Sequence, residues 1–202
     1  MKTSKNNSIR LFTLPFGICV AFLIGLLMMT SCNSQDTSKP QEKVSKTASV
    51  KAPQIDIHTA VITENLDALN QHIAAGTNLN ERDPFGGSSP LISAAVFGKP
   101  EMAKVLIDAG ADINFQNNDG STALHTSAFF CRPEIVKMLL DAKADKTIKN
   151  KFGATAYESV AGPFSQVKGS YDMMSTMLSP MGLKLDYSYI EKTRPEIAAM
   201  LK

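Results

Sequence analysis

Cysteine and histidine are both scarce, with three of each in 202 residues. Cys19, Cys32 and Cys131, like His58, His72 and His125, stand far apart, so no CxxC, HxxxH or other dense ligand cluster exists. That spacing argues against a structural zinc site and a disulfide framework, and the expected complement of metals and cofactors is none. A strong excess of one charge is missing as well. The 21 basic and 19 acidic groups leave +2, and because residues 1–31 hold Lys2, Lys5 and Arg10 without any acid, the remainder carries 18 basic against 19 acidic groups. A nucleic-acid binder relies on a basic field, and this chain lacks one. Nucleophile elbow, P-loop, dinucleotide loop and HExxH motifs are all absent. What is present is a globular composition, 44% apolar and 20% charged.

The first 31 residues stand apart. Three positive charges within residues 1–10 precede a stretch from Leu11 to Met29 that carries no charge, the order of a secretory signal. Met29, Thr30, Ser31 and Cys32 follow at once. This run of small residues into a cysteine resembles the lipobox of bacterial lipoproteins, with Met29 where that family usually has leucine. The resemblance implies cleavage before Cys32 and lipidation of its thiol, the nucleophile that receives the diacylglyceryl group. Several acyl chains at about 0.8 kcal/mol per buried CH₂ give a nearly irreversible anchor. Cys19 would leave with the signal. From residue 32 to 54 the composition turns to Ser, Thr, Lys, Gln and Pro, too polar to bury a core, so this segment is expected to be a flexible tether.

From residue 55 to 202 the chain repeats itself. Gly87-Ser88-Ser89-Pro90-Leu91 returns as Gly120-Ser121-Thr122-Ala123-Leu124-His125 and as Gly153-Ala154-Thr155-Ala156-Tyr157, the glycines 120 − 87 = 33 and 153 − 120 = 33 residues apart. Ile107-Asp108-Ala109-Gly110-Ala111-Asp112 returns as Leu140-Asp141-Ala142-Lys143-Ala144-Asp145, also shifted by 33. Each unit predicts a helix after a Ser or Thr cap, a turn, and a second helix opened by Pro with Glu, as at Pro100, Pro133 and Pro195. Met102, Val105 and Leu106, then Ile135, Met138 and Leu139, supply apolar stripes at helical spacing.

A 33-residue period carrying Gly-x-Thr-x-Leu-His and Leu-Leu-Asp-Ala-x-Ala-Asp resembles the ankyrin repeat. The resemblance implies an all-α solenoid of about four helix-pair repeats with hairpin loops, at 55–83, 84–116, 117–149 and 150–202. It also implies that His125 hydrogen-bonds backbone between neighbouring units. The last repeat departs from the pattern: Gly120 to Pro133 is 13 residues, but Gly153 to Pro195 is 42. The difference predicts a helical insert over 163–190, with Val167, Tyr171, Met174 and Leu178 on one face and Asp186 as a possible cap.

A function follows as an expectation. The family's role is to hold protein partners on hairpin tips and concave helices, and the positions that fall there are Phe85, Val96, Phe97, Asn118, Asp119, Phe129, Phe130, Lys151 and Phe152. Consecutive phenylalanines at 129–130 are either an apolar binding strip or the floor on which the insert folds back through Tyr171 and its methionines. Residues 55–202 carry 14 basic and 17 acidic groups, hence −3, which suits a partner with a basic or apolar face. The expectation is a monomeric, non-enzymatic scaffold, lipid-anchored through Cys32 on the periplasmic face of the outer membrane, with no nucleic acid and no small-molecule substrate. Two alternatives stand beside it. One is an architectural envelope lipoprotein; the other is an enzyme using Tyr171, Asp172, Asp186, Tyr187, Tyr189, Glu191 and Arg194 of the insert region.

Overall fold

The computed structural model describes residues 51–202, so the signal segment, Cys32 and nearly all of the tether lie outside the described residues. Among these residues the regular structure is entirely helical: α1 Ile57–Ile62, α2 Leu66–Ala74, α3 Pro90–Phe97, α4 Pro100–Asp108, α5 Ala123–Phe129, α6 Pro133–Asp141, α7 Glu158–Ala161, α8 Phe164–Leu178 with a 3-10 turn Ser179–Met181, and α9 Tyr187–Leu201. The first helices α1, α3, α5 and α7 pack in succession, and α4, α6 and α9 form the row behind them. This is the repeat solenoid that the 33-residue period predicts.

Local chemistry explains each boundary. Ser89, with its hydroxyl 3.3 Å from the Ile92 N–H, and Thr122, 3.4 Å from the His125 N–H, cap the first helices. Pro100 and Pro133 open the second helices at positions where a backbone N–H has no helical partner, and Glu101 and Glu134 sit in the positive first turn. The turns between elements need positive φ. Gly98 (φ 64°) and Gly110 (φ 86°) supply it, whereas the third repeat puts Cys131 (φ 53°) and Lys143 (φ 66°) at the same places, a conformation that disfavours residues with a Cβ.

Successive repeats are also tied through polar groups. Asn80 Oδ1 accepts the Asp112 N–H at 2.9 Å, and one repeat on, Asn114 Oδ1 accepts the Asp145 N–H at 2.9 Å. His125 is 3% exposed. Its Nδ1 faces the Thr122 N–H at 3.3 Å, and Nε2–H donates to the Ala154 carbonyl of the next repeat at 3.1 Å. These partners select the neutral tautomer protonated on Nε2. Burial, the largest influence, pulls its pKa below the ordinary 6.5. The unfolded chain therefore takes up the proton more readily, and the His125 contribution, fully present above pH 6.5, falls away as pH drops through the lower folded pKa. The thermal midpoint is expected to decline as pH falls below 6.5, with long-range ¹H–¹⁵N correlations showing that His125 takes up its proton at a lower pH in the folded chain than in the unfolded one; the reverse order would contradict this.

The fourth repeat differs from its expected form. Its second helix does not start at Pro195: Asp186 accepts the Tyr189 N–H at 3.0 Å and caps a helix that begins at Tyr187 and encloses Pro195. The helix grows backward because Ile190, 2% exposed, and Thr193 find buried places on a helix that packs against α5 and α6 of the third repeat. The Cys131 thiol donates to the Ile190 carbonyl at 3.6 Å. Extension costs one helical hydrogen bond, since Pro195 has no N–H for the Glu191 carbonyl.

Candidate functional site

Three hairpins project from the repeats, and each is built on one Asx residue. Asp83 Oδ1 accepts from the N–H groups of Phe85 and Gly86 at 2.7 and 2.8 Å, and Oδ2 accepts from Ser88 N–H at 2.8 Å. These donors, working against partial burial, hold its carboxyl below the usual carboxylate range. Asn117 accepts from Asp119 and Ser121, and Asn150 from Phe152 and Ala154. A side chain that ties down its own turn leaves the tip residues pointing away from the repeat.

The tips are joined to one another. Asn118 N–H donates to the Gly86 carbonyl at 2.9 Å and Lys151 N–H to the Asp119 carbonyl at 2.8 Å. Close approach is possible because Gly87 and Gly120 have no side chain: a Cβ at Gly87 would lie 2.3 Å from Asn118 Oδ1, and one at Gly120 would lie 3.2 Å from Lys151 N. Arg82 braces the same edge, donating to the Gly87 and Gln116 carbonyls at 3.0 Å each and lying 4.5 Å from the centre of the Phe115 ring.

On this braced row the rings of Phe85 and Phe152 are 84% and 79% exposed. Between them lie the exposed Asn118, Asp119 and Lys151. Two phenylalanine rings so open to water add little to the packing of the fold.

The other sequence-derived positions are placed differently. Val96 and Phe97 are half-buried, and the Val96 carbonyl accepts from Arg132 at 3.2 Å. Phe129 is half-buried, and Phe130 is 4% exposed and thus not a surface residue. Tyr171 of α8 stacks on Phe129 with ring centres 4.3 Å apart, lies edge-on to Phe130 at 6.4 Å, and donates its hydroxyl to the Phe129 carbonyl. The insert therefore occupies the aromatic strip of the third repeat. Tyr171 is 0% exposed, and burial pushes its phenol up to about 12.

Several of the groups that an enzyme in the insert would use are engaged in structure, whereas Tyr189 and Glu191 are exposed. Asp172 pairs with Lys168 at 2.9 Å, Asp186 caps α9, and Tyr171 bridges Phe129 and Arg194. Burial raises the Cys131 thiol to about 11, so it is not a ready nucleophile. Among the described residues, no group of three His, Cys, Asp or Glu side chains is placed to hold a metal ion, and no helix is long and apolar enough to cross a membrane.

Residues 57–150 match the family model described as ankyrin repeats, in three copies. The human protein phosphatase 1 regulatory subunit 27 is 36% identical over 64 residues, which are 32% of this chain and 41% of that protein. An ankyrin repeat protein of Rickettsia bellii (strain RML369-C) is 39% identical over 92 residues, 39% of this chain and 13% of its relative. The chain thus spans less than half the length of either relative. Among solved structures, the ankyrin repeat domain of Bcl-3, a member of the IkappaB protein family, superposes with a TM-score of 0.50 at 30% identity, covering 51% of this chain and 45% of that one.

Proposed function

We propose, from the premise that the described part of the chain is an all-helical ankyrin solenoid, that it is a non-catalytic scaffold that holds a protein partner on its hairpin tips. The observation that carries this is the pair of open rings, Phe85 and Phe152, on tips tied together by backbone hydrogen bonds. Asn118, Asp119 and Lys151 between them supply polar complementarity, and the overall −3 of residues 55–202 favours a partner face that is apolar and basic. A phosphatase regulatory subunit among the relatives fits a regulatory use of such a surface.

The scaffold works at a membrane of the bacterial envelope, anchored by lipid on Cys32, with the tether of residues 32–54 giving it reach. Support for the anchor comes from the order of charge, apolar run and Thr30-Ser31-Cys32. Cys32→Ser is expected to leave a larger, unprocessed precursor without fatty-acid label; equal labelling of wild type and variant refutes the anchor.

For the binding surface, envelope proteins captured on wild-type chain are compared with those captured on a Phe85→Ser, Phe152→Ser chain. Anchor residues of this kind carry about 2 kcal/mol or more each, so binding should fall by roughly 30-fold for each ring lost, and by roughly several hundred-fold for both if the losses add. The thermal midpoint should stay nearly unchanged, because neither ring packs on the core. Undiminished capture by the double variant refutes the tip surface.

A further inference from the structure

The far end of the stack holds a buried cation without an anion. Arg194 on α9 is 3% exposed, and its guanidinium spends two of its five N–H groups on neutral acceptors: Nη1 donates to the Tyr171 hydroxyl and Nη2 to the Gly162 carbonyl, both at 3.0 Å. Its Nε is buried and has no partner. Among the described residues, no carboxylate forms an ion pair with it. Tyr171 cannot supply the missing charge, because burial pushes its phenol up to about 12 and it stays protonated. A guanidinium taken out of water without a counter-charge is costly in a folded protein. Bracing Tyr171 and Gly162 alone could be done by an uncharged donor.

Arg194 also lines an open groove of about 590 Å³ bounded by α7, the start of α8, and α9. The volume lies in the range of sites for small organic ligands. The apolar part of the wall comes from Val160, Pro163, Phe164, Pro195 and Ala198, and Tyr157 and Ser165 add polar groups. Two further charged residues line it, Glu191 and Lys202, and both are exposed, where water screens them and their charges offset each other. A buried fork of N–H donors in a partly apolar wall matches a planar oxyanion on an apolar body.

We propose that this groove binds a small monocarboxylate with an apolar body, anchored by Arg194. The site is separate from the hairpin tips and does not rest on the scaffold proposal. It makes the last repeat, through Tyr171 and α8, the part of the molecule that responds to such a ligand.

The test uses the full chain in uncharged detergent, with 3-phenylpropionate as probe and its neutral amide as control. The amide enters micelles more readily, so a preference for the carboxylate cannot come from the detergent. The carboxylate should bind by calorimetry with a Kd below about 1 mM and at least about tenfold more tightly than the amide. It should raise the thermal midpoint as well. Arg194→Met should abolish the preference. Should that variant fail to fold, Ala198→Phe keeps the guanidinium and fills the groove, and it must lose binding. Phe85→Ser with Phe152→Ser must leave binding intact. Equal affinity for the amide, unaltered binding to Ala198→Phe, or no binding by wild type up to about 10 mM overturns the proposal, as does tighter binding of phenyl phosphate, which would assign a phosphate site instead.

Discussion

Tyr171→Ala is expected to destabilise the repeat domain by about 3–5 kcal/mol, the range for truncating a large buried aromatic side chain, against a typical domain stability of about 5–15 kcal/mol. The size follows from position. Tyr171 is 0% exposed, stacks on Phe129 at 4.3 Å, packs near Phe164 at 5.6 Å and Tyr187 at 6.4 Å, and holds both the Phe129 carbonyl and the Arg194 guanidinium. Tyr171→Phe keeps the rings in place and removes only the hydroxyl, leaving a carbonyl and a further guanidinium N–H without a partner, so about 1–3 kcal/mol is expected. Joining Gly162 to Ile190 removes Tyr171, the buried Leu183 and the Asp186 cap together. That shortened chain should aggregate or melt far lower. Urea or thermal melts decide: a midpoint for Tyr171→Ala equal to wild type would show that α8 merely decorates the edge and that Phe129 and Phe130 can open to a partner.

Leu124→Ala and Leu69→Ala should cost similar amounts locally, about 2–5 kcal/mol each, but should change unfolding in different ways. Both leucines are nearly or fully buried, at 1% and 0% exposed. Leu124 lies on α5, which packs against α3, α6, α7 and α9. Leu69 lies on α2 of the first repeat, which packs mainly on α1. In a linear array each repeat is held by its neighbours. A cavity in α5 weakens the interfaces on both sides, so the whole transition should shift to lower denaturant. A cavity in α2 should let the first repeat fray early, broadening the transition and speeding amide exchange in residues 57–74 while the later repeats keep theirs. Exchange mass spectrometry reads both outcomes. A uniform shift for Leu69→Ala would mean that the domain unfolds as one unit.

The solenoid was legible in the chain because its signals are local and recur. Gly87, Gly120 and Gly153 mark the hairpins, Ser89 and Thr122 the caps, Pro100 and Pro133 the second-helix starts, and each acts within a few residues of itself. The bond from His125 to the backbone of the next repeat was implied by the family resemblance, and it is made to the Ala154 carbonyl. The tip residues Phe85, Asn118, Asp119, Lys151 and Phe152 followed from the period together with the hairpins that the family resemblance implies, and the structure adds that the two rings are bare and that the tips are tied to one another.

The fourth repeat was different, and there tertiary packing decided. Pro195 with Glu196 carries the same local signal as Pro100 with Glu101, yet the helix starts eight residues earlier, since burying Ile190 and capping at Asp186 outweigh the hydrogen bond that Pro195 removes. Sequence left two fates open for Phe129 and Phe130, solvent or insert. Contact with Tyr171, 42 residues away from Phe129, resolves them, and a pairing of that range leaves no periodic trace in the chain. Arg194 belongs to the same class. Its identity could be read at once, but that it lies buried without a carboxylate, in the wall of a groove, depends on three helices meeting, which only the folded arrangement specifies.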